Sequence, residues 1–221
     1  MRVTTLQPNY IPWRGYFDFF KQSDMFILYD DVQYTRRDWR NRNSIKTPDG
    51  PQWITIPVED KGRNSLINEA KIIWNGWPSR QLQTIERFYK NAPYVGVVLH
   101  MLEEAFDEGH DTICDLDESL IMKVLDYLGI RCKTVRSSKV GFSDLKKTDR
   151  LVAMCQEVGA TEYYSGESAK DYLEVEKFGD IRVLWHRYNE NVYPQLWGDF
   201  VSAVSIIDLI ANCGLKGYDI I

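Results

Sequence analysis

The sequence is short of the groups on which most side-chain chemistry depends. It has three histidines, His100, His110 and His186, and four cysteines, none at CxxC spacing. With no Cys/His cluster, no metal site is expected. Cys114, Cys132, Cys155 and Cys213, which lie 18, 23 and 58 residues apart, read as reduced, partly buried thiols. A GxSxG nucleophile elbow is missing, so Ser165 has no ready-made base partner. There is no run of eighteen apolar residues, so no membrane span is expected. The opening MRVTTLQPNY lacks the apolar stretch, roughly 7–15 residues long, that a signal peptide needs, and the expected location is the cytoplasm. Positive charge is also short, at 27 Lys and Arg against 32 Asp and Glu. The net charge of −5 argues against nucleic-acid binding, which draws on a basic field.

What remains is a 221-residue chain, 44% hydrophobic and 13% aromatic, long enough to bury a sizeable core. Apolar runs at Val3–Leu6 and Met25–Tyr29 flank an aromatic stretch, Gly15–Gln22, and predict a strand, a helix and a buried parallel strand. Trp53–Pro57 alternates after the turn Thr47-Pro48-Asp49-Gly50, with Lys71–Trp74 as its expected neighbour. Three helical stripes follow, carried by Leu82, Ile85, Phe88 and Tyr89, by Val97 to Ala105, and by Leu120 to Leu128 with Gly129 as C-cap. Cys132–Val135 and Ile181–Trp185 read as strands. Thr148 reads as the N-cap of a helix over Asp149–Val158, and Val204–Asn212 as the last helix. Glu59–Arg63 reads as a surface loop. The fold class expected is α/β: a mostly parallel open sheet with βαβ units in a single domain over 1–221, with 79–128 as a helical insertion or subdomain.

Ligands of open α/β sheets bind at the carboxyl ends of strands. The loop after the first strand offers Gln7, Asn9, Tyr10, Trp13, Gly15 and Tyr16 as substrate-binding candidates, the alternative being that its aromatics plug the domain. Asp30 and Asp31 close the second strand and are candidates for a general base or an amine-gripping group. Alternation predicts that only one of them faces a cleft. Arg36, Arg37, Arg40, Arg42 and Lys46 put five cations in eleven residues, interleaved with Asn41 and Asn43, a pattern suited to phosphate. Ser165 and Gly166 are candidates to face an oxyanion, and Gln195 and Asp208 complete the set.

Long segments carry a resemblance. LQPNYIPWRGYFDFF, SDMFILYDDVQY, WRNRNSIKTPDGPQWITIPV, KTDRLVAMCQEVGATEYYSG and VYPQLWGDFVSAVSIIDLIANCG resemble the WbqC-like protein family, found with bacterial O-antigen and surface-polysaccharide genes. The stretch Phe200-Val201-Ser202-Ala203-Val204-Ser205 lacks the proline usual in the family, so the start of the last helix is expected to differ. The resemblance implies aminoacyl, preferentially glycyl, transfer onto the amine of a nucleotide- or lipid-linked amino sugar. It implies no tightly bound cofactor, but an activated glycyl donor: a carrier-protein thioester, an aminoacyl-tRNA or an adenylate. Expected partners are the phosphorylated amino sugar and an acyl-carrier-type protein. The alternative is a non-catalytic sugar-nucleotide or glycan scaffold. A third reading is an ATP-dependent ligase or a nucleotidylyl-transferase-like enzyme. It is set back because Trp13-Arg14-Gly15-Tyr16 stands where those transferases carry HxGH.

Overall fold

The structure, a computed structural model, describes residues 1–59 and 65–221. Its strands are β1 (Arg2–Leu6), β2 (Met25–Leu28), β3 (Arg42–Thr47), β4 (Gly50–Thr55), β5 (Lys133–Arg136), β6 (Glu162–Gly166) and β7 (Arg182–His186). Its α-helices are α1 (Arg14–Gln22), α2 (Trp77–Tyr89), α3 (Val95–Asp107), α4 (Ile113–Leu128), α5 (Ser137–Val140), α6 (Lys147–Glu157), α7 (Ile206–Cys213) and α8 (Gly217–Ile220). The chain divides into two compact units, each assembled from segments distant in sequence.

Unit one comprises Met1–Gln7, Asp18–Val32 and Arg131–Asn189. Its five strands are all parallel, in the order β5-β2-β1-β6-β7. β2 is buried at every residue, as a strand covered on both faces must be. Val3, Met25, Ile27 and Tyr163 face Val152, Met154 and Cys155 of α6. On the opposite face Phe20 stacks on Phe26 with centroids 3.8 Å apart, and Phe19 lies 5.4 Å from Tyr164. From β1 the chain steps outward to β2. From the β5 edge it passes back to β6, on the other side of β1. Strand order therefore reverses between β1 and β6, the switch point at which doubly wound sheets open a crevice.

Unit two comprises Pro8–Phe17, Gln33–Ile130 and Glu190–Ile221. The antiparallel pair β3–β4 turns through Pro48 and Asp49. Gly50 sits at φ +99°, and Thr47 Oγ1 donates to its carbonyl at 2.8 Å. Helices α2, α3 and α4 form the expected helical block. Thr112 caps α4 by accepting from the Asp115 N–H, and Gly129, at φ +71°, ends it.

Three details differ from expectation. Helix α6 begins at Lys147 with Lys146 as its cap, and Thr148 lies inside the first turn, where its hydroxyl accepts from the Glu174 N–H at 3.2 Å. A neighbouring segment has taken the hydroxyl that would otherwise cap the helix. Residues 71–74 add no strand to β4, whose partner is β3. They make only isolated bridges, Val58 to Ile72 and Lys71 to Thr112. The last helix starts at Ile206 because Ser205 caps it through the Ile207 N–H. Beyond Glu59, the loop expected at 59–63 lies outside the described residues.

The Phe20–Phe26 stack carries much of the α1 side of unit one. Phe26→Ala is expected to lower stability by about 3–5 kcal/mol. In urea the unfolding midpoint should fall while the slope stays unchanged.

Candidate functional site

In unit one, β1, β2, β5, β6 and β7 end on the same edge, since Leu6 pairs with Leu28, Leu28 with Arg136, and Gly166 with His186. Gln7, Asp30, Asp31, Ser165 and Gly166 therefore gather at one carboxyl edge. The two carboxylates have different jobs. Asp30 is fully buried. It accepts from the Ser138 N–H at 2.9 Å, Ser138 Oγ at 2.7 Å and Ser137 Oγ at 3.0 Å, all at the start of α5. Asp31 pairs with Arg150 Nη2 at 2.6 Å and shares the single Ser137 hydroxyl proton with Asp30. The Arg150 guanidinium also lies 5.0 Å from the centre of the Tyr29 ring, is 3% exposed, and has an Nε without a hydrogen-bond partner.

Alternation along β6 separates Ser165 from His186. Ser165 shares the α6 face with Tyr163, whereas His186 packs with Tyr164 and Phe19 on the other side, stacking on Phe19 at 3.9 Å. His186 Nε2 is 2.7 Å from Asp18 Oδ2. Burial pushes the Asp18 carboxyl up, but hydrogen bonds with His186 and Gln22 outweigh it and leave the pKa below its ordinary value. Ser165 and His186 thus form no nucleophile–base pair. The His186–Asp18 pair has no sequence signature, because its members are 168 residues apart.

In unit two, most of the polar residues picked out by sequence hold the protein together. Lys46 is 2% exposed, and its ammonium donates to Gln195 Oε1 and to the carbonyls of Gly198 and Asp199, so it has no donor left for phosphate. Gln195 in turn donates to Asp208, which also accepts from Tyr89 and Tyr193 at 2.7 and 2.8 Å. Burial pushes the Asp208 pKa up against these hydrogen bonds. Asn43 donates to the carbonyls of Tyr10 and Ile11 and accepts from the Ser44 N–H, while Asn41 donates to Ile56 O. Arg40 pairs with Asp38 at 3.1 Å, and Arg42 lies 4.2 Å over the Trp53 ring. Arg36 and Arg37 are exposed. Arg40 and Arg42 both act on the Asp38 carboxylate, whereas Lys46 is taken up by Gln195 and the backbone.

The loop after β1 splits likewise. Tyr10 and Tyr16 are buried plugs, Tyr10 donating to Gln81 at 2.6 Å. Burial, then Asp117, pushes both phenols well up. Trp13 instead lines a cavity of about 240 Å³ with Asn9, Pro12, Trp39, Asn43, Glu190 and Ala203. Gly15 makes room for Trp13, since a Cβ there would clash with the indole ring. Of the lining residues, Asn9, Trp13 and Asn43 are candidates from sequence; Pro12, Trp39, Glu190 and Ala203 are not, and no motif marks Glu190.

The described residues include no cluster able to hold a metal and no helix long and apolar enough to cross a membrane. The WbqC-like protein family matches residues 7–220. The chain is similar to the uncharacterized protein Rv1507c of Mycobacterium tuberculosis, with 43% identity over 99% of this chain and 96% of that protein. No solved structure matches.

Asp117 is fully buried, and neither carboxylate oxygen has a hydrogen-bond partner among the described residues. Burial raises its pKa well above the ordinary value, and Arg40 only partly offsets this. Proton uptake therefore favours the fold below the unfolded-state pKa, near 4, and that stability is lost as pH rises. Asp117→Asn should match the parent near pH 3.5 and become progressively more stable than it towards pH 7, as read by thermal melts across that range.

Proposed function

The chain belongs to the WbqC-like protein family, and on that premise we propose that it transfers an aminoacyl group, preferentially glycyl, onto the amine of a phosphate-linked amino sugar. The setting is cytoplasmic synthesis of bacterial O-antigen and related surface polysaccharide. The donor is an activated glycyl carrier, and an acyl-carrier-type protein is the proposed partner. The observation that supports this reading best is the Asp31–Arg150 pair at the carboxyl edge of unit one, on the same sheet face as Ser165.

The step needs little from the protein beyond positioning and a proton acceptor. The sugar amine attacks the donor carbonyl and a C–N bond forms. The bond from that carbonyl to the leaving sulfur or oxygen breaks. Asp31 takes the one proton lost by nitrogen and passes it to the leaving group, which restores the carboxylate. Its oxygens each engage one donor, Ser137 or Arg150, and each keeps a lone pair free. Asp30 is assigned no proton transfer, because the start of α5 occupies it. Ser165 and the Gly166 N–H are assigned to the oxyanion.

A second reading, binding without chemistry, draws on the same pair: Ser137 and Arg150 already engage both oxygens of Asp31. Single-turnover assays on an amino-sugar acceptor, with each donor class in turn, separate the two. Asp31→Asn should lower the rate by about 10²–10⁴ while acceptor affinity changes little. Ser165→Ala should lower it less, and His186→Ala should leave it near parent level. Undiminished turnover in Asp31→Asn rules out the base assignment. Acceptor binding without turnover on any donor establishes the binding reading.

A further inference from the structure

The cavity of unit two carries a reading of its own. Two of its walls are indoles, Trp13 and Trp39, with Pro12 and Ala203 completing the apolar lining. Trp39 is 42% exposed, an unfavourable place for a large apolar surface in a protein with room to bury it. Gly15 leaves space for the Trp13 ring. The Trp39 backbone is anchored by its carbonyl to the Tyr10 N–H at 2.8 Å and by its N–H to Asp38 Oδ1 at 2.7 Å, and its ring lies 5.2 Å from that of Trp53. The polar lining is uneven. Asn43 spends its side chain on the backbone, whereas the Asn9 side-chain oxygen has no partner among the described residues. Glu190 is exposed and makes no hydrogen bond or ion pair with a described residue.

We propose that this cavity is a saccharide subsite that takes one amino-sugar ring, with its ammonium against Glu190. A volume of about 240 Å³ falls below the roughly 300–1,000 Å³ of sites for drug-sized ligands. It suits a single substituted six-membered ring. The indole faces carry partial negative charge that attracts the C–H face of a sugar and, more strongly, a cation. A carboxylate with no ion pair to a described residue, lining the same cavity as two indoles, selects a free amine over a neutral substituent. The inference rests on unit two alone and is independent of the proposed transfer, whose attacking amine is a free base at Asp31; its test uses no donor.

Tryptophan fluorescence and NMR titrations with glucosamine, N-acetylglucosamine, glucose and tetramethylammonium on the full chain decide the matter. Glucosamine should bind at least tenfold more tightly than the two neutral sugars. Glu190→Gln should remove that preference while leaving the weak binding of N-acetylglucosamine unchanged, and Trp39→Ala, at a half-exposed position, should abolish sugar binding with the fold intact by circular dichroism. Equal binding of glucosamine and N-acetylglucosamine, no binding of any sugar, or tetramethylammonium binding more tightly than glucosamine would each overturn the proposal. Amine-selective binding without turnover would count against the transfer reading alone.

Discussion

Unit two is organised around a buried ammonium and a buried carboxylate that share one amide. Lys46 and Asp208 are both withdrawn from water, and Gln195 accepts from the first and donates to the second. Isolated, either group would carry a desolvation cost of several kcal/mol. Here each has three or more partners, and those partners dictate local shape. Lys46 binds the carbonyls of Gly198 and Asp199, and Gln195 exchanges hydrogen bonds with both the N–H and the carbonyl of Val201, so residues 195–201 fold back on themselves. Tyr89 and Tyr193 reach Asp208 from α2 and from the start of this loop. The loop ends in Ala203 and Ser205, one a cavity wall and the other the cap of α7.

Unit one is governed by alternation. Each strand sends neighbouring side chains to opposite faces, so five strands ending on one edge offer two sets of polar groups that do not mix. Asp31, Arg150, Tyr29 and Ser165 belong with the α6 side, and His186 and Asp18 with the side of Phe19. A serine and a histidine close in register, Gly166 opposite His186, are thereby kept from reacting as a pair.

Much of the fold was legible because apolar periodicity is local. MFILY predicts a doubly covered strand, and Leu120 to Leu128 with Gly129 a capped helix, whatever surrounds them. The parallel edge followed from the βαβ pattern. Less legible was the use of each polar side chain. Asn43, Lys46, Asp208 and Asp30 have the chemistry of ligand-binding groups, and only the three-dimensional partners show that backbone, amide or helix start has already claimed them. Thr148 was misread for the same reason, its acceptor role being set by Glu174, 26 residues away. Glu190 gave no signal because a lone acid in an irregular segment is ordinary until two indoles stand beside it.

The segmented layout of the two units bears on how the chain is born. β1 and β2 leave the ribosome within the first 28 residues, yet β5, which covers β2, and β6, which covers β1, follow more than a hundred residues later. Unit two is no more self-sufficient, since α7 closes it from the far end of the sequence. Neither body can complete its core during most of synthesis, and the apolar edges of β1 and β2 stay unpaired throughout that interval. Slow closure of distant pairings with sticky edges on show is the circumstance in which nascent chains aggregate. Recovery of native protein should accordingly be governed by chaperone supply and elongation rate more than by the stability of the finished fold.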